Sequence, residues 1–534
     1  MPTELSTYAS AVAFGQGHLF TFWDLLTAVE RGSLLSDVES IDFDKIAQIF
    51  EGSQKQTKNN IEERLLPPED DICGCQCELR KSNPALLERY YQTALSAVHE
   101  GKVAVLLLAG GQGTRLGVNY PKGLYKPGLP SGRSLYQIQA EQIRRVTQLA
   151  AQRFGSLPSI PWYIMTSEHT QDTTIAYFQS HNYFGHDPKD IIFFEQFNLP
   201  ALDFDDGNGG LYKALRERHI LGDMKSRGVM YIQTYCVDNI LVKLPDLHFI
   251  GFCMDRSAEC GAQVVQKVNP EEPIGVLGMV NGRYQHTVGF SNCDLCNLIS
   301  LYEVVEYSEI SPETAALRRS NGVPDQISYS QSDGNDPASC NERLVYSHGN
   351  ICVHFFTRQF LERVTHPDIL NLMKHHVARK RVAHLDLATG QQVTPSEPNG
   401  VKFEKFIFDV FPLAERFAIW EVPRKERFSP LKNGPDAKMD CPQTSRADYL
   451  SYHAMLARSA GAKLAGENST FHSVGETNEA ETRALLEISP LVTYEGENLD
   501  CLAGVELHGV NVLELDDQTG KPSLRLVDQK RGEL

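Results

Sequence analysis

The sequence predicts an α/β fold built on a mostly parallel central sheet, and three observations predict it. The run Val103-Ala-Val-Leu-Leu-Leu-Ala109 is strand-sized and apolar at every position, as a strand covered on both faces must be. Segments 161–166, 191–194 and 229–237 repeat that texture. Amphipathic stretches of helix length separate them, and such alternation closes through right-handed crossovers into parallel pairs. Sheets of this kind bind ligands outside the carboxyl ends of their strands.

The remaining elements follow in order. Residues 1 to about 100 read as helical and peripheral: Leu19, Phe22, Trp23, Leu26 and Val29 recur at helical spacing, and 85–98 does so again. Between them lies a polar stretch, 51–69, that contains Pro67-Pro68. Ser134 with Gln137 three residues on is a capping-box signature opening a helix over 135–153, and 209–227 reads as a second helix. Alternation over 304–310 predicts a strand. Beyond Glu426 the pattern becomes short strands and loops with polar segments such as 433–445. The expected organisation is a helical N-terminal region, 1–101, a catalytic domain, 102–426, and a small β-containing C-terminal domain, 427–534.

Composition narrows the function. The 534 residues carry 51 Lys+Arg against 68 Asp+Glu, a formal charge of −17. A general nucleic-acid or acidic-membrane surface needs a basic face, so both partners are excluded, while a local basic pocket for a small phosphorylated ligand is not. No apolar run approaches the roughly 18 residues of a membrane span, and Glu4 precedes the first mildly apolar stretch without a basic leader. Twelve cysteines at irregular spacing, with Cys236, Cys253 and Cys352 inside apolar runs, indicate a reduced, cytoplasmic chain. Cys73-Gly-Cys-Gln-Cys77 and Cys293-Asp-Leu-Cys296 lack partner pairs at zinc-finger spacing. His375-His376 has no carboxylate beside it and reads as a helix surface.

Chemistry concentrates after the first strand, in Leu108-Ala-Gly-Gly-Gln-Gly-Thr-Arg-Leu-Gly117 and Tyr120-Pro-Lys-Gly123. Gly110, Gly111 and Gly113 suit a sharp turn that brings bare amide N–H groups to an anion, and Arg115 and Lys122 add positive charge for phosphate oxygens. Neither the Walker A ending nor the G-x-G-x-x-G spacing is present. Gly207-Asn-Gly-Gly210 is a second glycine-rich turn, at a helix entrance. The Asn208 amide can donate and accept to a sugar hydroxyl or acetamido group, although an ordinary Asn-Gly turn has the same spelling. Asp238 follows a buried strand, where a carboxylate faces the ligand crevice and suits Mg²⁺, or else caps a turn. Gln196 also ends a strand, where an amide could read a uracil edge.

Those motifs resemble the signature of the eukaryotic UDP-N-acetylhexosamine pyrophosphorylases. Five further segments match in order: Asp206-Gly-Asn-Gly-Gly-Leu-Tyr212, Tyr235-Cys-Val-Asp-Asn239, Val305-Glu-Tyr-Ser-Glu309, Val401-Lys-Phe-Glu-Lys405 and Phe428-Ser-Pro-Leu-Lys-Asn433. The resemblance implies a Rossmann-like nucleotidyltransferase domain that joins UTP to N-acetylglucosamine 1-phosphate, with N-acetylgalactosamine 1-phosphate as a further candidate. It implies Mg²⁺ or Mn²⁺ on Asp238, UTP contacts at Leu108, Ala109, Gly110, Gly111, Gln196, Gly207 and Lys402, and catalytic roles for Arg115, Lys122 and Lys432. It places Asn208, Glu306 and Tyr307 around the sugar; Gly275, which a turn explains nearly as well, and Asn350 are minor candidates for the same place. The chain departs from the family pattern in the shortened segment 203–206, in an insertion at 286–303 and in the long stretch 319–342. The first two flank the implied sugar site. A UDP-glucose or broad UDP-sugar pyrophosphorylase, and an inactive UDP-sugar sensor, are the alternatives.

Overall fold

The computed structural model describes residues 2–56, 64–199, 204–205, 207–280, 301–307, 309–319, 327–328, 343–370, 373–466, 484–516 and 518–527. The inserted residues 286–300, Cys293 and Cys296, Asp206 and most of 319–342 lie outside them. Among the described residues no helix is long and apolar enough to cross a membrane.

An 11-stranded sheet forms the centre. Its main path runs Cys73–Cys75, Phe417–Glu421, Cys260–Gln266, His348–Thr357, Tyr231–Cys236, Val103–Leu108, Trp162–Thr166, Ile191–Glu195. Every pairing along it is parallel except the two made by His348–Thr357. The expected mostly parallel sheet is therefore present, with one reversed strand inserted beside Tyr231–Cys236.

Val103–Leu108 shows why a continuous apolar run was required. Val103, Val105 and Leu107 enter the core on one face, and Ala104, Leu106 and Leu108 enter a second core on the other. Successive strand side chains point to opposite faces, so both alternations must be apolar when helices cover both. Helix Leu135–Phe154 supplies Tyr136, Ala140, Ile143, Val146 and Ala150 to the first core, and Leu211–Glu217 supplies Leu211, Tyr212, Ala214 and Leu215 to the second. Burying each large apolar side chain contributes about 1.5–3 kcal/mol.

Several elements differ from the sequence expectation. The helix at 209–227 is two helices, Leu211–Glu217 and Ile220–Ser226, because His219 takes φ +57° between them. The Ser134 hydroxyl does accept from the Gln137 N–H, but the Gln137 amide turns to Glu141 instead of closing the box. The alternating strand ends at Val305, since Glu306 and Glu309 form a turn: the Glu309 N–H donates to Glu306 O, and the Glu306 N–H to Glu309 Oε2. Residues 433–445 lead into an 18-residue helix, Pro442–Ser459, where short strands and loops were expected. Cys73–Cys75 and helix Pro84–His99 are not peripheral. The first pairs with Phe417–Glu421, and the second packs Leu87, Tyr90, Ala94 and Leu95 into the main core. A third core joins Leu116, Leu135, Ile138, Ile240 and Leu241 to Leu431, Tyr449, Leu456 and Leu486.

Candidate functional site

Three neighbouring parallel strands deliver their last residues to one edge of the sheet. Val103–Leu108 runs directly into Ala109 and Gly110, with Trp162–Thr166 beside it and Ile191–Glu195 beside that. The Ala109 N–H donates to Met165 O at 2.8 Å and the Gln196 N–H to Thr166 O at 2.9 Å, extending the ladder one residue past the strands. Gly110 lies against the buried Gln196 amide, where a Cβ would come within 2.7 Å of Nε2. Glycine is therefore what lets a donor–acceptor amide sit beside this loop.

The loop folds back on itself. Gln112 bridges to Pro121, and the Gly113 N–H donates to Tyr120 O at 3.1 Å. Leu116 and Gly117 N–H groups also stay inside the loop, so Gly113 has no amide to offer an anion, whereas the Gly110 and Gly111 N–H groups have no backbone acceptor among the described residues. Nor do the first three glycines take a left-handed φ; that falls to Gly117, at +78°. Gly113 is glycine for room, since a Cβ would meet Val118 Cγ2 at 2.3 Å and Tyr120 O at 2.9 Å. Gly111 is exposed, and nothing lies within 4 Å of where its Cβ would be. Arg115 is exposed and Lys122 half-buried, and among the described residues neither is held in an ion pair.

Asp238 sits in the turn after Tyr231–Cys236, the strand on the other side of Val103–Leu108. Its carbonyl accepts the Leu431 N–H at 2.9 Å. Asn239 clamps the same segment: its Nδ2 donates to Arg427 O at 2.7 Å, and its Oδ1 accepts from the Ser429 N–H at 3.0 Å. Lys432 is thereby fixed near Asp238. Burial works against the Lys432 ammonium, yet Asp238, Cys352 and Asp440 around it prevail and raise its pKa. The Asp440 carboxyl is also pushed up, by burial and by Asp238, with Lys432 opposing. Gly434 packs on Arg115 O, 3.3 Å from its would-be Cβ, and so ties this segment to the glycine loop.

This neighbourhood suits a hard divalent cation. Mg²⁺ is usually held by one or two carboxylates, with substrate phosphates and water completing the shell. Asp238 supplies one carboxylate, and its charge reaches a second, Asp440, whose carboxyl it pushes up. Among the described residues no cluster of three or more His, Cys, Asp or Glu forms a complete protein cage.

A second group of residues assembles around 404–409. Gly207, at φ +72°, lies so close to this segment that a Cβ would be 2.5 Å from Lys405 O. Asn208 Oδ1 accepts from the Ile407 N–H at 2.9 Å, and its Nδ2 has no acceptor among the described residues. Gly275 lies against Glu306, with Oε1 3.0 Å from the would-be Cβ, and Gly275 O accepts from the Asn350 N–H at 2.8 Å. Asn350 Oδ1 in turn holds the Cys352 N–H and His354 Nε2, at a bulge where Cys352 takes φ +54°. The Glu306 carboxyl is raised by burial and by Glu309, while His376 and Lys432 pull it down, so the two groups of residues meet electrostatically at Lys432.

Two candidates lie at the margin. Tyr307 is 54% exposed past the strand end. Lys402 stands on the strand Gly400–Glu404 with its Nζ 3.1 Å from Glu404 Oε1. His376 is not on a helix surface: it opens the strand His376–Lys380, and its Nε2 is 2.8 Å from Asp409 Oδ1. The carboxylate absent from its local sequence arrives from 33 residues away. Glu309, Asp409 and Asp440 were likewise missed. The Val305-Glu-Tyr-Ser-Glu309 motif contained the signal for the first; the other two are joined only by the fold.

Known proteins share this architecture. A family profile described as UTP–glucose-1-phosphate uridylyltransferase matches residues 42–206 and 204–289. A Xenopus tropicalis protein named UDP-N-acetylhexosamine pyrophosphorylase-like protein 1 is 43% identical over 514 residues, covering 91% of this chain and 91% of that one. The UDP-N-acetylglucosamine pyrophosphorylase of Saccharomyces cerevisiae is 36% identical over 521 residues, 92% of this chain and 95% of the yeast protein. In fold, the chain matches the crystal structure of the uridine diphosphate N-acetylglucosamine pyrophosphorylase from Trypanosoma brucei. The TM-score is 0.69 at 22% identity, over 94% of this chain and 95% of that one.

Proposed function

The chain belongs to the UDP-N-acetylhexosamine pyrophosphorylase family, and from that premise we propose that it transfers the uridylyl group of UTP to N-acetylglucosamine 1-phosphate. The phosphate oxygen of the sugar phosphate attacks the α-phosphorus in line, the bond to the β-phosphate oxygen breaks, and pyrophosphate leaves. No general base is needed, because a phosphate monoester dianion is already nucleophilic. The barrier lies in bringing two polyanions together and in the charge building on the leaving group, so catalysis is positioning and electrostatics.

The observation that carries this reading is the joining of two separate cationic segments at one sheet edge. Gly434 rests on Arg115 O while Leu431 is bonded to Asp238, so the segments of Arg115 and Lys432 meet at the ends of two neighbouring strands. On this reading the Gly110 and Gly111 amides with Arg115 and Lys122 hold the triphosphate and the departing pyrophosphate. Lys432 draws in the attacking phosphate. Asp238 would hold Mg²⁺ or Mn²⁺, which when bound offsets charge on the reacting phosphates. Gln196 faces the uracil, and Asn208, Gly275, Glu306 and Asn350 face the amino sugar. Lys402 and Tyr307 belong to the outer rim, the first toward UTP and the second toward the sugar.

Pyrophosphate release from UTP, measured with the 1-phosphates of N-acetylglucosamine, N-acetylgalactosamine, glucose and galactose, with and without Mg²⁺, tests the proposal. Turnover dependent on Mg²⁺ and fastest with an N-acetylated sugar is expected. Preference for glucose 1-phosphate, or no turnover with any of the four, overturns it.

A further inference from the structure

We infer that His376 is a positioning residue for the sugar phosphate: anchored on Asp409, its imidazolium holds the Glu306–Glu309 turn against the segment that seats Asn208. The inference rests on the sugar-facing role proposed above for Glu306 and Asn208.

The geometry is a relay across three chain segments. His376 Nε2 meets Asp409 Oδ1 at 2.8 Å, and the other oxygen of Asp409 accepts the Phe406 N–H at 2.8 Å. On the far side of the ring, Nδ1 is 3.9 Å from Glu309 Oε1. Glu309 is bonded twice to Glu306, its Oε2 accepting the Glu306 N–H at 3.0 Å and its own N–H donating to Glu306 O at 2.8 Å. The ring leans on Phe406, centroids 4.5 Å apart, and the next residue, Ile407, donates to Asn208. One imidazole therefore spans the two halves of the sugar site.

A neutral ring does this poorly. With its proton on Nε2 for Asp409, it turns the Nδ1 lone pair toward the Glu309 carboxylate; only the imidazolium donates to Asp409 and also presents positive charge to Glu309. The charges facing it favour that form. Asp409 comes from the segment after Gly400–Glu404, and Glu309 and Glu306 from the turn after Leu301–Val305; Lys374 and His375 immediately precede its strand. Burial lowers the His376 pKa, but the Asp409 hydrogen bond and the Asp409 and Glu309 charges outweigh burial and Lys374, so it ends raised. As pH climbs through that raised value, three carboxyl groups lose the cation between them.

The test is KM for N-acetylglucosamine 1-phosphate and for UTP from pH 6 to pH 9, in the full-length chain and in His376→Gln. Glutamine can still donate to Asp409 but cannot carry charge. In the wild type, KM for the sugar phosphate should rise about tenfold across the titration while KM for UTP does not follow. In His376→Gln it should be high already at pH 6 and lack that rise. Titration of the substrate phosphate is common to both proteins, so it cannot produce the difference. Parallel pH profiles, or equal movement of the UTP KM, overturn the inference. Should His376→Gln not fold, Glu309→Gln replaces it: the rise in sugar KM should then begin at lower pH, and an unmoved profile overturns the inference. Failure of the underlying reading looks different, because then the wild type has no N-acetylglucosamine 1-phosphate turnover, or Glu306→Gln leaves the sugar KM unchanged.

Discussion

The proposed nucleotide end and the proposed sugar end of the site reach their geometry by opposite routes. Leu108 to Lys122 is placed by one buried strand and the loop that leaves it, with Gln196 and Asp238 on neighbouring strands of the same sheet. The sugar end gathers Asn208, Gly275, Glu306, Asn350, His376 and Asp409 from separate stretches of chain, and Asn208 meets its backbone partner Ile407 across 199 residues. A glycine at each end makes the contrast concrete. Gly111 has open space where a Cβ would go, so the fold itself does not require glycine there, whereas the Gly207 Cβ position is occupied by the chain's own Lys405 carbonyl.

The largest expected effects fall at the nucleotide end and on turnover. Arg115→Ala and Lys122→Ala should each lower kcat by roughly 10² to 10³, the range found when one preorganised charge or donor is removed from a transition state. Steady-state kinetics with both substrates varied checks this, and wild-type kcat in either variant removes the charge assignment. Neither cation is held in an ion pair among the described residues, so little stability should be lost, and an unchanged melting temperature is the companion outcome.

The glycine contrast predicts a clean separation. Gly207→Ala forces both a left-handed φ and a clash with Lys405 O, and should cost about 1–3 kcal/mol in urea unfolding. Gly111→Ala meets nothing in the protein and should unfold like the wild type, yet raise KM for UTP. Equal stability losses in the two variants would erase the distinction between the ends.

The same contrast decides what could be seen in the sequence. Val103–Leu108 was legible because burial on two faces demands an unbroken apolar run, and the glycines and cations follow it within a few residues. Helix Pro442–Ser459 was not. Its buried face includes Ser445 and His453 beside Tyr449, Tyr452 and Leu456, so polarity hides a spacing of 445, 449, 452 and 456 that is helical. The reversed strand His348–Thr357 carries no local mark of its direction. His376 was misread because its carboxylate is supplied by the fold, and the strand ending at Val305 because two glutamates three residues apart fold into a turn. A matched motif named Glu306, and Asn350 stood outside every such motif as a minor candidate; no pattern within one segment could have joined them.

A smaller effect is expected at Asn208. Its Oδ1 is engaged with Ile407, so Asn208→Ala removes a structural hydrogen bond as well as ligand donors. The sugar-phosphate KM should rise about tenfold with a smaller change for UTP. Asn208→Asp separates the two roles, because it keeps the acceptor for Ile407 and loses the donors. A sugar KM like that of the wild type in the Asp variant would show that Asn208 serves only the fold.

The smallest effect concerns pH, and again it belongs to the sugar end. His354 lies fully buried beneath Asn350, and burial lowers its pKa from 6.5 to about 3. Its Nε2 donates to Asn350 Oδ1 at 3.0 Å, while the buried Nδ1 has no protein partner among the described residues. Because the folded value lies below the unfolded one, the unfolded chain takes up this proton first. The contribution to stability is therefore complete above about pH 6.5 and declines on acidification toward the folded value, by at most about 1.4 kcal/mol per pH unit. His376, raised by its carboxylates, has the opposite sign: its contribution is present below about pH 6.5 and declines as pH rises through the folded value. Urea unfolding at intervals between pH 5 and pH 6.5 should show a slope in His354→Gln shallower by up to one proton than in the wild type. An unchanged slope would mean that the ring is protonated in the folded state, and the Asn350 bulge would then owe its shape to a charge instead of a neutral tautomer.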